Sequence, residues 1–360
     1  MKKLDWYILR KFVTTFIFCM LLFTVIAIAV DSSEKTDDFV KSGLSTRQIV
    51  SQYYVAFVPY IWGLLYPLFV FIAVIFFTSK MAGRSEIIAM LATGTTYNRW
   101  LRTYVAGGLL FAVVLWFAAA FYIPKANDMR GNFQSKYIDP PPRAYDNSNG
   151  GYRRVDPNTY MGLKYFDTVS KSGSTFFLDR VHGTQLIYNL RAETIRWDSV
   201  KKDWLLSSVV ERKVDSMREI VTQFPTMHID LHMTPEAFRK DQYLKDRLTT
   251  PKLREYIKVE ELRGSEGVNT LKVERYRRTA TCYSVFLLTL IGAIMAGRKT
   301  RGGSGLHLAL GIIIAAVFIM FDRFSTVFSV KGDLHPMLAA WIPNILFTIL
   351  AIYLYKKAPK

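Results

Sequence analysis

Cysteine is nearly absent: Cys19 and Cys282 are the only two in 360 residues, and both fall inside apolar runs. No disulfide framework can staple the rest, so any folded part outside those runs must build its own core. Histidine is scarce as well, at five residues. No His-Glu-x-x-His pattern and no paired cysteines supply a metal site. The Gly-x-Ser-x-Gly elbow of a serine hydrolase is missing. Gly297-Arg-Lys-Thr-Arg-Gly302-Gly303 is basic and glycine-containing but lacks the closing Gly-Lys-Ser/Thr of a phosphate loop. A membrane enzyme is thus left without a recognisable nucleophile or metal set.

Charge is also thin, with Asp, Glu, Lys and Arg making up 21% against 51% hydrophobic residues. Apart from Asp322 and Arg323 it is withheld from six stretches: Phe12–Val30, Val55–Phe77, Tyr104–Ile123, Thr279–Ala296, Leu306–Phe328 and Met337–Tyr355. Each is close to the ~20 residues needed to cross ~30 Å of hydrocarbon. Six such runs exclude a soluble enzyme and a disordered chain. Ala27-Ile28-Ala29 resembles a signal-peptidase site, but the first run is longer than a usual signal core, so retention of the span is expected.

The net charge of +18 follows the spans. The N-terminus, the loops after spans two and four, and the C-terminus together hold 14 basic residues against Asp5 and Glu86. Segments 31–54 and 329–336 hold four basic residues against five acids. The positive-inside rule then puts both termini in the cytoplasm. Nucleic acid is not needed to explain the basicity.

The predicted division is spans one to three in 1–123, an extracytoplasmic domain in 124–278, and spans four to six in 279–360. Pro140-Pro141-Pro142, Asn147 through Gly151 and Asp156-Pro157 mark the domain's entry as loop. Strands are expected at Thr159–Phe166, Ser174–Val181, Gln185–Leu190, Glu193–Asp198, Trp204–Lys213 and Glu219–Phe224, with a hairpin turn across Asp198 to Asp203. Thr226–Met233 alternates strictly, with Met227, Ile229, Leu231 and Met233 on one face and His228 and His232 on the other. Two histidines four apart on a strand lie ~13 Å apart, too far to share an ion. They are expected to belong to a polar strand face. From Pro251 to Arg278 the pattern turns helical and charged.

Two local features bear on function. Asp322 and Arg323 are the only Asp, Glu, Lys or Arg residues within the expected spans, and Asp322 falls ~24 Å along its helix from Leu306, near the outer interface. Ordinary interfacial anchoring accounts for both, while an ion-coupled secondary transporter would need Asp322. Between spans two and three, Arg84-Ser-Glu86 through Gly94 places Ile87, Ile88, Met90 and Leu91 on one helical turn ended by glycine. Such a helix suits either docking into a partner's groove or lying in the lipid interface.

The opening Leu4-Asp-Trp-Tyr-Ile-Leu-Arg-Lys-Phe12, the Arg84–Gly94 stretch, the β insertion after span three and Leu334-His-Pro-Met-Leu-Ala-Ala-Trp-Ile-Pro-Asn344 occur in fixed order with matching topology. Together they resemble the lipopolysaccharide transport permeases, the family of the LptF and LptG proteins. The Leu4 start and the Glu34–Gly43 stretch lean toward the LptG branch.

The resemblance implies an α-helical membrane protein of six transmembrane helices with an inserted periplasmic antiparallel β-domain, jellyroll-like, in the bacterial inner membrane. It implies a non-catalytic permease subunit of an ATP-driven lipopolysaccharide exporter, paired with a second six-span, LptF-like permease. A cytoplasmic LptB-like ATPase dimer would carry the ATP and Mg, with no cofactor on this chain. LptA/LptC-like β-jellyroll proteins, one a periplasmic bridge and one membrane-anchored, would receive the lipid. Arg84, Glu86, Ile87, Met90, Leu91 and Gly94 would form the ATPase-coupling helix. Lys41 matches a family cation at the outer end of span one, whereas Lys35 stands one residue out of register, where Glu34 takes the place. Spans one and five would offer Phe16, Phe23, Ile26, Phe318 and Phe321 to acyl chains, and Lys35, Lys41 and Arg323 to phosphates. A membrane scaffold without transport is the remaining alternative.

Overall fold

The computed structural model describes residues 3–138, 144–146, 153–183, 185–215, 218–231, 233–235, 244–264, 267–298 and 303–358. The Pro140–Pro142 and Asn147–Gly151 loops, His232, and residues 299–302 of the basic glycine loop lie outside the described residues. The order is α1 (Lys3–Glu34), α2 (Thr36–Lys41), α3 (Thr46–Ile49), α4 (Val55–Gly83), α5 (Glu86–Ala92), α6 (Tyr97–Phe117) and α7 (Ile123–Phe133). Seven strands follow: β1 (Ala144–Asp146), β2 (Arg153–Asp156), β3 (Thr159–Asp167), β4 (Ser172–His182), β5 (Gln185–Asp198), β6 (Asp203–Asp215) and β7 (Arg218–Ile229). The chain ends with α8 (Leu244–Arg247), α9 (Thr250–Leu262), α10 (Val268–Ala296), α11 (Gly303–Lys331) and α12 (Pro336–Lys357).

Six helices are long and apolar enough to cross a membrane. Each expected apolar run lies within a longer helix, because a change from apolar to polar side chains marks the edge of hydrocarbon and does not stop backbone hydrogen bonding. One such extension is α10, which starts at Val268 where the apolar run starts at Thr279. Its first turns carry Lys272, Glu274, Arg275, Arg277 and Arg278 without a glycine or proline to end the helix.

The chain divides into two compact units, one of Met1–Asp139, Lys245–Leu253 and Asn269–Lys360, the other of Pro140–Leu244 and Arg254–Val268. The span unit therefore keeps α7 and α8, which the sequence assigns to the inserted domain. Helix α6 passes through a π turn at Ala118–Tyr122 into α7 without a break. Asn127 Nδ2 then donates to the Asp246 carbonyl at 3.0 Å, and Arg278 donates to the Lys245 carbonyl at 2.9 Å, tying α8 to α7 and α10.

Aromatic packing holds α1, α4 and α6 together. The ring of Phe12 lies 4.8 Å from Phe111 and 5.4 Å from Phe77, while Phe77 stacks on Tyr104 at 5.7 Å. Gly107 makes this approach possible, since a Cβ there would come within 2.8 Å of the Phe12 ring. Buried polar groups bind the other helices, as expected where no water competes. Ser284 Oγ donates to Asn344 Oδ1 at 2.8 Å, and Asn344 Nδ2 donates to the Ala280 carbonyl at 2.9 Å, locking α12 to α10. Ser325 Oγ donates to the Ala339 carbonyl at 2.6 Å and joins α11 to α12.

The β unit is an antiparallel meander in the order β1-β3-β4-β5-β6-β7, with β2 also pairing with β3. Gln185–Leu190 and Glu193–Asp198 are one strand, not two, because Leu190 and Ala192 both reach the core and the ladder with β6 runs through. Glu219–Phe224 likewise continues past Pro225 to Ile229. Strand β7 is at the sheet edge, so the missing N–H of Pro225 can face away from the ladder. The expected hairpin is present, with Asp198 opposite Asp203 and Trp197 opposite Trp204.

One face of the sheet is closed by Phe166, Phe176, Leu190, Ile195, Trp204 and Leu206, together with Leu231 and Met233 from beyond β7. The described strands form a single sheet whose long neighbours pair along their length.

Candidate functional site

Helix α5 starts at Ser85, which takes the left-handed backbone at φ 60°, and ends before Gly94 at φ 88°. The expected apolar turn divides. Ile87 is buried, and Met90 and Leu91 pack on the core that joins α1, α4 and α6, whereas Ile88 is 52% exposed. At ~100° per residue, positions 87, 90 and 91 share one face and 88 turns away from it. Three of the four expected docking residues thus hold α5 to its own unit. Glu86 adds to this anchorage, accepting from Tyr7 Oη at 3.0 Å and Lys11 Nζ at 3.1 Å. Beside them Arg99 Nη2 meets Asp5 Oδ2 at 3.2 Å, so α1, α5 and α6 form one cross-tied end. Arg84, Ile88 and Ala89 are left on the exposed side.

The residues expected to meet lipid separate into two groups. Phe16 is buried, 4.5 Å from the Phe111 ring and 5.2 Å from Tyr66, and Phe23 stacks on Phe69 at 5.3 Å. Phe318 packs against Phe347 at 5.0 Å. These three rings are occupied in helix packing. Lys35 is occupied too: it pairs with Asp31 at 2.8 Å, donates to Tyr53 Oη and lies 4.7 Å from the centre of that ring. In contrast Ile26, Lys41, Phe321 and Arg323 are exposed.

Around the exposed members lie residues that the sequence does not single out. On α1, Phe18, Leu21, Leu22 and Val25 are all exposed, spaced three and four apart; on α11 so are Ile313, Met320, Phe324 and Phe328. Only 17% of the apolar window of α1 or α11 is buried, against 67% for α10. A span is apolar on every side, so periodicity cannot reveal which face is free.

A separation of roles follows for the two lysines. Lys35→Ala would leave the Asp31 carboxylate with the Tyr53 hydroxyl but no cation and cost about 2–3 kcal/mol, less than a fully buried pair because the two side chains keep 20% and 11% exposure. Thermal unfolding in detergent should show a lowered midpoint. Lys41→Asp should leave that midpoint unchanged but weaken capture of a phosphate-bearing lipid in crosslinking. Unchanged crosslinking would remove Lys41 from the site.

The span unit also holds a partly open cavity of about 460 Å³ between α4, α6, α7, α8, α10, α11 and α12. Asp322 and Arg323 line it and are not isolated charges, because the early start of α10 brings Glu274, Arg277 and Arg278 to the same rim. Glu274 pairs with Arg277 at 2.8 Å and with Arg278 at 3.3 Å.

In the β unit, Asp198, Asp203 and His228 bring ligand atoms within 4.8 Å of one another. The turn accounts for the grouping. Asp198 accepts from the backbone N–H groups of Val200 and Lys201, which lower its pKa, and His228 Nδ1 lies 3.0 Å from Asp203. Lys201 Nζ sits 3.3 Å from His228 Nε2, placing a cation where an ion would bind.

These features define a multi-pass membrane protein of six spans with an inserted antiparallel β unit, and its two least-covered spans are the first and fifth. A profile described as lipopolysaccharide export system permease LptF/LptG matches residues 6–357, and the chain belongs to that family. The lipopolysaccharide export system permease protein LptG of Escherichia coli K12 is 20% identical over 371 residues, covering 98% of this chain and 97% of that protein. LptG of Escherichia coli O6:H1 gives the same figures. The chain is accordingly a lipopolysaccharide export permease of the inner membrane.

Proposed function

We propose that this permease is the transmembrane half of an ATP-driven extractor. It takes lipopolysaccharide from the outer leaflet of the inner membrane and passes it to a periplasmic β-protein bridge. Both termini and α5 face the cytoplasm, where an ATPase dimer binds, and the β unit is periplasmic. The observation that carries the reading is the pair of outward apolar faces on α1 and α11, each buried over only 17% of its span. A six-span chain with two bare edges suits a second permease of the same kind, with the lipid's acyl chains between them. Lys41 and Arg323, exposed on α2 and α11, supply cations for its phosphates. Among the described strands β7 leaves one edge unpaired, which suits strand addition by the bridge.

The test is site-specific photocrosslinking in cells. A photoreactive residue at Ile26, Phe321 or Phe324 should capture lipopolysaccharide, and one at buried Phe347 should not. Equal labelling at all four, or none at the first three, would contradict a lipid path along these two faces.

A further inference from the structure

Beside the tie between Asp5 and Arg99, α1 and α6 leave a recess near their starts. Further along, the two helices touch closely, because Gly107 lets the Phe12 ring and Leu9 lie against it. One turn back, Asp5, Arg99, Arg102, Thr103 and Ala106 line a pocket of about 180 Å³. Ala106 is exposed and brings only a methyl group, so this part of α6 does not fill the space.

Charge in the pocket does not balance. Asp5 is engaged at both oxygens: Arg99 Nη2 meets Oδ2 at 3.2 Å, and Thr103 Oγ1 donates to Oδ1 at 3.2 Å. Arg102 is exposed, and among the described residues it has no hydrogen bond or ion pair. One carboxylate against two guanidinium groups leaves a single positive charge. The flanking charges on α1 do not cancel it, since Lys3 and Arg10 are exposed cations and Lys11 is paired with Glu86.

An apolar track leads away from the pocket. Ala106, Leu109, Leu110 and Val113 follow Arg102 at helical spacing, and all are exposed. At 1.5 Å per residue, Arg102 to Val113 spans ~17 Å, close to the ~15 Å of one hydrocarbon leaflet. An unpaired cation at the polar boundary and an apolar stripe one leaflet deep match the outline of a single phospholipid.

We propose that this pocket binds an anionic glycerophospholipid with one phosphodiester, phosphatidylglycerol in type. Arg102 takes the phosphate, and Arg99, which has donors left over from Asp5, reaches a second phosphate oxygen. One acyl chain lies along Leu109, Leu110 and Val113. A phosphoethanolamine head brings its own ammonium and leaves the charge of the pocket uncancelled.

The experiment is native mass spectrometry of the full-length protein, purified with whatever subunits accompany it and delipidated. It is then returned to nanodiscs of equal parts phosphatidylglycerol and phosphatidylethanolamine. Phosphatidylglycerol should survive detergent transfer in preference to phosphatidylethanolamine. Arg102→Gln should weaken its retention by about fivefold, the order of one basic residue at an anionic membrane surface. Ala106→Phe, which fills the pocket without changing charge, should weaken retention as well. Both positions are exposed, so the unfolding midpoint should stay at the wild-type value. Lys356→Gln removes an exposed cation from the end of α12 and should leave retention unchanged. Equal retention of the two lipids, wild-type retention in Arg102→Gln and Ala106→Phe, or an equal loss in Lys356→Gln would overturn the proposal. Lipopolysaccharide capture at Phe321 should be unchanged in Arg102→Gln. Its loss there would assign the phosphate to lipopolysaccharide and overturn a separate phospholipid site.

Discussion

Replacing Glu86 by Lys is expected to lower transport-coupled ATP hydrolysis by roughly tenfold or more, the order of a lost or reversed charge at a protein interface. The membrane fold should survive it. The carboxylate meets Tyr7 and Lys11 from a side chain that is still 23% exposed, and such a pair is worth only about 0.5–1 kcal/mol. Ile87, Met90 and Leu91 keep α5 seated through their own burial. The substitution instead sets a second cation against Lys11 and should push the first turn of α5 off α1, moving the exposed Arg84 and Ile88 that the proposed coupling assigns to the ATPase contact. Glu86→Gln, which can still accept from Tyr7, should fall between the two. The check is ATPase rate and ATPase recovery in the purified complex, with the unfolding midpoint measured alongside. Wild-type coupling in Glu86→Lys would mean that α5 does not carry the signal.

Trp204→Ala is expected to be the most destabilising single change in the β unit, at about 3–5 kcal/mol. Trp204 is fully buried, packs edge-on against Trp197 at 5.1 Å and Phe166 at 6.2 Å, and donates from Nε1 to the Met233 carbonyl at 2.8 Å. That hydrogen bond fastens the segment after β7 over the sheet. The alanine would leave a large cavity and free the Met233 carbonyl, so the cover opens first. Limited proteolysis of the full-length protein in detergent should show cleavage beyond β7 while the spans resist. Trp204→Phe refills most of the space and loses the donor alone, so it should cost about 1 kcal/mol. Protease resistance equal to wild type in Trp204→Ala would contradict the assignment of this core.

The spans were legible in the sequence because crossing a bilayer demands an apolar length that little else requires. The β unit was legible in its alternation and in the Asp198–Asp203 turn. What escaped was decided by packing. Lys35 and Lys41 look alike as cations after span one, but only the fold shows that Asp31 and Tyr53 engage the first and leave the second exposed. Ile87 and Ile88 are neighbours of identical chemistry, one sealed in the core and the other on the surface. The charged rim of the cavity was hidden for a different reason. Glu274, Arg277 and Arg278 read as part of a polar connector, and the unbroken helix from Val268 carries them into the span unit beside Asp322.

The most direct measurement is mild-detergent purification of the tagged protein from its native membrane, with mass spectrometry of the protein and lipid that accompany it. The expected result is an ATPase, a second six-span permease and lipopolysaccharide recovered together with this chain. Recovery of the chain alone, stable, ATPase-free and moving substrate down an ion gradient that Asp322→Asn abolishes, would contradict the extractor and establish a secondary transporter in its place.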